Sequence, residues 1–361
     1  MLRVPERLFI LVPSPHPTGP IKGAFALANA LIDEIAVTIV FVKSGPGADA
    51  PLDGRVELVS LERDADMAQK FERYARLLED AGGRARVASL SMCYSADWIN
   101  ARCRSLAVTC SSVRGNLFSN YRLDYGLPGL GLALKHLWML RRMDHVVAMT
   151  AAMQQGVRRI TRRPVAVIGN FVDEAALEQY RISGGATGPL RFVFVGSLTR
   201  RKQPGLLVEA LRSMVVREGV RLDILGDGPL RSSIKRAAEN LEPGMVTIHG
   251  HLSDPLPIVA AADAFVLPSM SEGVSRAALE ALCLGVPCVL RQVDGNAELL
   301  RGNDRGVLFR SNDSLAAAMI DAARMGRAHA NVGKTALLPD EFRQGIAAHQ
   351  YLELLKTRTK Q

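Results

Sequence analysis

Cysteine, aromatic side chains and long apolar runs are all scarce in this 361-residue chain. The five cysteines, Cys93, Cys103, Cys110, Cys283 and Cys288, lack the paired spacing of a zinc site, and several fall inside apolar runs. That usage excludes a disulfide scaffold and points to a reduced, cytosolic protein. Aromatic residues make up 5% of the chain, too few for the stacking platforms that hold single-stranded nucleic acid. No nucleic-acid partner is expected. The first apolar run, Leu8 to Val12, stops at Pro13, too short for the apolar core of a signal peptide and far too short to span a membrane. The expected location is the cytoplasm, with peripheral contact at the inner face of the cell membrane as a further option. No internal repeat and no long low-complexity segment appears.

What is present is length enough for two domains, each with a full core. Charge is unevenly shared. Residues 1–172 hold 22 Lys/Arg against 15 Asp/Glu, whereas the remainder holds 23 against 21. A basic first half suits an acidic partner such as an anionic membrane face, a phosphorylated lipid or nucleic acid, the last disfavoured by the scarcity of aromatics.

The most informative stretch is Pro268-Ser-Met-Ser-Glu-Gly-Val-Ser-Arg-Ala-Ala-Leu-Glu-Ala-Leu-Cys-Leu-Gly-Val-Pro287. Ala264 to Leu267 before it reads as a buried strand, Gly273 to Gly285 as a helix, and Cys288 opens a further strand. Helix N-termini at the carboxyl ends of parallel strands offer unpaired N–H groups to anions, so the backbone of Gly273, Val274 and Ser275 is placed for a phosphate. Two carboxylates frame that position. Glu272 lies at the helix entrance and Glu280 about two turns deeper, roughly 12 Å at 1.5 Å per residue. Between Ala277 and Leu290, Glu280 is the only charge, and a covered carboxylate needs a partner.

Glu272-x7-Glu280, inside Pro-Ser-x-x-Glu-Gly and followed by Leu-Glu-Ala-Leu-x-x-Gly-x-Pro, resembles the signature of retaining GT-B glycosyltransferases, specifically the group 1 or family 4 enzymes. The resemblance is strong over 190–310 and looser before it. It implies an α/β fold of two doubly wound, Rossmann-like parallel-sheet domains facing a cleft. Residues 1–180 would form the acceptor-side domain, 181–340 the nucleotide-sugar domain, and 341–361 a last helix crossing back to the first domain. The small-residue run 183–189 has the composition of a hinge.

Further segments match the family. In the second half, Gly196-Ser-Leu-Thr-Arg-Arg-Lys202 follows a strand and resembles the family's Gly-x-Leu-x-x-x-Lys pattern, whose cations meet the donor diphosphate. On that resemblance Arg200 or Arg201, together with Lys202, would carry that role. Leu222-Asp-Ile-Leu-Gly-Asp-Gly228 is a strand and tight turn of the family type, and the nucleobase is expected near His251 and Leu252. In the family Glu280 holds the ribose hydroxyls, and Glu272 lies towards the sugar. In the first half Gly19 aligns with a glycine placed against the diphosphate, although Thr18 replaces its companion glycine. Arg114 stands roughly where family members have a histidine, which makes it a candidate contact to a phosphate or acceptor. His16, in a proline-rich loop, has the residue type of a base but the setting of an ordinary exposed histidine.

Two further features compete with bland readings. Asp64-x-Asp66 is the only Asp-x-Asp, but a predicted charged helix over 64–80 makes it a solvated face rather than a metal site. Pro128 to Met143 reads as the most apolar helix, with Trp138 among leucines and Lys135, Arg141 and Arg142 nearby. It is either a core helix with a basic end or an interfacial helix facing anionic lipid.

The resemblance implies a retaining hexosyltransferase, with a UDP-sugar as the expected donor and a glycan or phosphorylated-lipid-linked glycan as acceptor, in surface polysaccharide synthesis. No metal and no cofactor is expected, since fixed cations serve the leaving group. Two other readings remain: a nucleotide-sugar 2-epimerase on the same fold, and a non-catalytic GT-B partner protein.

Overall fold

The computed structural model describes all residues except 1, 17, 46–51, 183–186, 215, 217, 218, 294, 303 and 359–361. Asp294 and most of the expected hinge therefore lie outside the described residues. The chain divides into two compact units, Met1–Val172 with Glu341–Gln361, and Asp173–Asp340.

The first unit contributes β1 (Leu2–Arg3), β2 (Arg7–Val12), β3 (Ala36–Phe41), β4 (Glu57–Ser60), β5 (Val87–Ser91), β6 (Val108–Val113), β7 (His145–Ala148) and β8 (Val165–Val167). Seven of them form one sheet in the order β4-β3-β2-β5-β6-β7-β8, and each neighbouring pair is parallel. A strand with helices on both faces must be apolar throughout, and β2 is Arg-Leu-Phe-Ile-Leu-Val. Its residues point alternately to two cores. Leu8, Ile10 and Val12 meet Ile21, Phe25 and Leu27, while Phe9 and Leu11 meet Tyr74 and Leu78 on the other face. Each such side chain contributes about 1.5–3 kcal/mol on burial.

The second unit contributes β9 (Leu190–Val195), β10 (Val220–Leu225), β11 (Val246–Gly250), β12 (Ala264–Leu267), β13 (Cys288–Arg291) and β14 (Gly306–Phe309). They pair in parallel in the order β11-β10-β9-β12-β13-β14. The chain then returns to the first unit. The helix Gln344–Leu354 buries Ala347, Tyr351 and Leu352 in the core beneath β2, and β15 (Thr357–Arg358) pairs antiparallel with β1. Each sheet is a doubly wound, Rossmann-like fold.

Several boundaries differ from those read in the sequence. The units divide at Asp173 rather than at 181, because Asp173 caps the short helix Glu174–Glu178, accepting from the Ala176 N–H at 3.0 Å. That helix belongs to the second unit, where Arg181 donates to the Cys283 carbonyl at 3.4 Å. The first long helix begins at Gly19, not Gly23, since Pro20 is tolerated in a first turn. The expected helix over 64–80 begins at Met67. Asp66 lies outside it as the N-cap, accepting from the Ala68 and Gln69 N–H groups at 2.9 Å each, and Asp64 pairs with Arg73 at 3.4 Å.

Candidate active site

In the second sheet the strand order reverses between β9 and β12, which opens a crevice at their carboxyl ends. The loop after β9 carries Gly196 to Gln203, and the loop after β12 carries Pro268 to Ser275. Backbone and side chain clasp the two together. The Met270 N–H donates to the Arg201 carbonyl at 2.8 Å, and Arg201 Nη1 donates to the Ser271 carbonyl at 3.1 Å. Gln203, held at φ +49°, accepts from Arg291 Nη2 at 3.0 Å, while Arg291 Nε donates to the Pro268 carbonyl at 3.1 Å. Arg291, at the end of β13, is a member of the site that the sequence reading missed. Its only signal was a charge ending an otherwise apolar strand.

The clasp sets a carboxylate among cations. Lys202 Nζ donates to Glu272 Oε1, and Arg201 Nη1 lies 3.7 Å from the same oxygen. Burial of Glu272 opposes its ionisation, but the Lys202 and Arg201 charges outweigh it and hold the carboxyl below its usual range. Lys202 has three N–H donors, and the bond to Glu272 uses one of them. The Thr199 hydroxyl is buried in the same loop with no hydrogen-bond partner, the kind of orphan a bound anion would satisfy. Arg200 is exposed. Of the two adjacent arginines left open by the sequence, Arg201 is the one that joins Lys202 and Glu272.

Two glycines hold this loop down for steric reasons. A Cβ on Gly226, at φ +136°, would fall 2.0 Å from the Gly196 carbonyl oxygen, and one on Gly228, at φ +156°, would fall 2.6 Å from that of Leu198. The Gly226-Asp-Gly228 turn is thus packed directly under the loop that presents the cations. The Leu198 N–H donates to the Asp227 carbonyl at 2.9 Å.

The helix that follows starts later than the sequence suggested. It spans Arg276–Cys283, with Ser275 as its N-cap accepting from the Ala278 N–H at 3.4 Å. Gly273 and Val274 belong to the buried entry loop instead, because a serine three residues before a free N–H competes for the capping role. The N–H groups of the helix terminus are therefore those from Arg276 onward. Glu280 has its partner one turn back: Arg276 Nε donates to Glu280 Oε1 at 3.0 Å. His251 and Leu252 follow β11, with His251 exposed and Leu252 half-buried.

In the first unit, Arg114 follows β6 and Gly19 opens the helix after β2. Arg114 Nη2 donates to Asn170 Oδ1 at 3.1 Å and Nη1 approaches Ser112 Oγ at 3.5 Å, while Ser112 Oγ meets the Tyr351 hydroxyl at 2.8 Å. Gly23 makes the space, since a Cβ there would sit 2.2 Å from Arg114 Nη2. A Cβ on Gly19 would meet nothing within 4 Å. His16 is exposed. Among the described residues, no helix is long and apolar enough to cross a membrane.

This architecture is shared with known glycosyltransferases. Residues 189–325, within the second unit, match the family model described as Glycosyl transferases group 1. The chain is 28% identical to the lipopolysaccharide core biosynthesis glycosyltransferase LpsE of Rhizobium meliloti over 203 residues, 55% of this chain and 58% of that protein. It is 33% identical to an Escherichia coli UDP-Gal:alpha-D-GlcNAc-diphosphoundecaprenol alpha-1,3-galactosyltransferase over 129 residues, 34% of this chain and 33% of the relative. These matches thus span less than two thirds of the relatives' lengths. Among solved structures, Anabaena HepE in complex with UDP and glucose superposes with a TM-score of 0.75 at 16% identity, over 97% of this chain and 99% of that one. The fold is GT-B.

Proposed function

We propose that the protein is a retaining, metal-independent glycosyltransferase that moves a hexose-type sugar from a UDP-sugar to a glycan or lipid-linked glycan in surface polysaccharide synthesis. The observation that carries this reading is the cation pair Arg201 and Lys202, anchored by buried Glu272 at the switch point of the second sheet. Transfer from a nucleotide sugar leaves a diphosphate carrying new negative charge. Cations fixed before the reaction stabilise that charge without reorganising, which is the largest single source of rate in such steps. Lys202 would meet the diphosphate, and Glu272, besides fixing Lys202, lies towards the sugar and stabilises oxocarbenium character. Glu280 would bind the ribose hydroxyls through charge-assisted hydrogen bonds. The departing phosphate serves as the base on the face it leaves, giving retention. Arg114, in the first unit, is assigned to the acceptor or its phosphate.

The names of LpsE and of the diphosphoundecaprenol galactosyltransferase support the surface-glycan setting. The test is product analysis with purified protein, UDP-sugars and lipid-linked glycans, with and without magnesium or chelator. Released UDP with a new α-linked glycoside and no magnesium requirement supports the proposal. An epimerised nucleotide sugar would assign the 2-epimerase reading, and no turnover with any donor the protein binds would assign the non-catalytic one.

A further inference from the structure

The helix Pro128–Leu140 faces its own core with Gly129, Ala133, His136, Leu137, Met139 and Leu140. At 100° per residue, the positions diametrically opposite are Leu127, Gly131, Leu134 and Trp138. A helix resting on a globular core ordinarily turns polar residues outward. Here Leu127 is 76%, Leu134 51% and Trp138 56% exposed, with Tyr125 a further 61% exposed just before them.

Cations border this apolar stripe on both sides. Arg141 lies along one edge, and Lys135 and Arg142 along the other, and the sequence from Pro128 to Arg142 contains no acid. The Arg142 guanidinium stands 5.1 Å from the centre of the Trp138 ring. Arg102, just past the end of the neighbouring helix Tyr94–Asn100, sets its guanidinium 3.5 Å above the Trp98 ring. Burial, and then the Arg142 charge, lower the Arg102 pKa. The platform beneath is fixed: His136 Nε2 is paired with Asp97 at 2.7 Å and Nδ1 with the Tyr121 hydroxyl at 3.0 Å, on the inner side of the same helix.

We propose that the outward face of 127–142 docks on an anionic phospholipid bilayer. The pattern selects that occupant. A second copy would bring arginine against arginine, which is repulsive. A bilayer accepts indole and leucine at the depth of its headgroups and meets the bordering cations with phosphates. The long Lys and Arg side chains reach the headgroups while their stems cover apolar surface. This surface is distinct from the cation and carboxylate site of the second unit, and the inference holds whether or not that site transfers sugar.

The experiment is flotation of the full chain with vesicles of phosphatidylcholine alone and of phosphatidylcholine with phosphatidylglycerol, at low and high salt. Expected are co-flotation with the anionic vesicles only, loss at high salt, and a blue-shifted indole emission that Trp138→Phe removes. Exchange of Arg141 and Arg142 for Gln should weaken partitioning roughly tenfold or more, and so should Leu134→Ser with Trp138→Ser, each with unfolding temperature unchanged. Equal flotation with both vesicle types, no flotation, or variants that float like the parent would overturn the proposal. So would self-association that the Trp138→Ser variant abolishes, which would assign the face to a second copy.

Discussion

Arg276 Nε donates to Glu280 Oε1 at 3.0 Å across one turn of its helix, and both side chains are only 14% exposed. The arginine fixes the carboxylate in place and leaves it acceptor capacity for further donors. Glu280→Gln should therefore weaken UDP binding roughly tenfold to a hundredfold, the worth of a hydrogen bond to a charged group. Stability should fall by no more than about 1–2 kcal/mol, since the pair is mostly buried but glutamine keeps an acceptor for the Arg276 N–H. Calorimetric titration with UDP beside a thermal melt checks both. An unfolded variant, or one binding UDP like the parent, would remove Glu280 from the donor site.

Lys202→Met leaves Glu272 buried with Arg201 as its remaining cation. The loss should be about 2–3 kcal/mol, under the 3–5 kcal/mol of a fully orphaned buried charge. Urea unfolding at neutral pH reads it.

The pH dependence of the parent follows from the same pair. With the Glu272 carboxyl held below its ordinary value when folded, the unfolded chain binds more protons between the two values. Its contribution to stability is fully present above the unfolded pKa of about 4.3 and is lost as pH falls through the folded value. In Lys202→Met the folded pKa rises, because burial then has less opposing charge. Acid destabilisation should accordingly begin at higher pH in the variant, and unfolding curves between neutral pH and the carboxylate range would show it. Coincident acid limbs would mean that Lys202 does not set the ionisation of Glu272.

Gly226→Ala and Gly19→Ala should separate sharply. The first puts a methyl 2.0 Å from a backbone oxygen at positive φ, whereas the second puts one in open space in the first turn of a helix. The former should cost several kcal/mol by steric conflict and strain, on the order of 3 or more. The latter should be neutral or stabilising by up to about 1 kcal/mol. Thermal unfolding of the two proteins gives the comparison.

Gly23→Ala tests Arg114 without removing it. The added methyl displaces the flexible end of Arg114 from Asn170. If Arg114 contacts acceptor or phosphate, Gly23→Ala and Arg114→Ala should lower transfer to similar extents while UDP affinity and melting temperature stay near the parent's. Normal transfer in both would take Arg114 out of the reaction.

Much of the fold was legible because buried parallel strands are short apolar runs: β2 and β12 have the limits that periodicity gives. Helix starts were less legible, since Gly273-Val-Ser contains several residues able to precede a first turn and only the capping bond of Ser275 decides among them. Arg276 was overlooked as the partner of Glu280, although an arginine four residues before a glutamate on a helix is a readable signal. The choice between Arg200 and Arg201 was not readable. It depends on a turn that ends in Gln203 at positive φ, a conformation that residue type does not announce. Arg291 joins the site only through the pairing of β12 with β13, a contact between distant segments.

Tyr351, seated in the core beneath β2, gives the molecule an order of assembly during synthesis. The second unit is continuous and has all its strands once Asp340 has been made. The first unit, although translated first, still lacks Tyr351 and Leu352 from its core at that moment. At 5–20 residues per second, about 10 to 35 seconds separate the synthesis of Val172 from that of Tyr351. Through that interval the apolar side of the helix Gly19–Leu31 is without its native cover. The half of the chain that leaves the ribosome first is thus the half that finishes last, and it is the half in which a pause in translation or a bound chaperone has the most to protect.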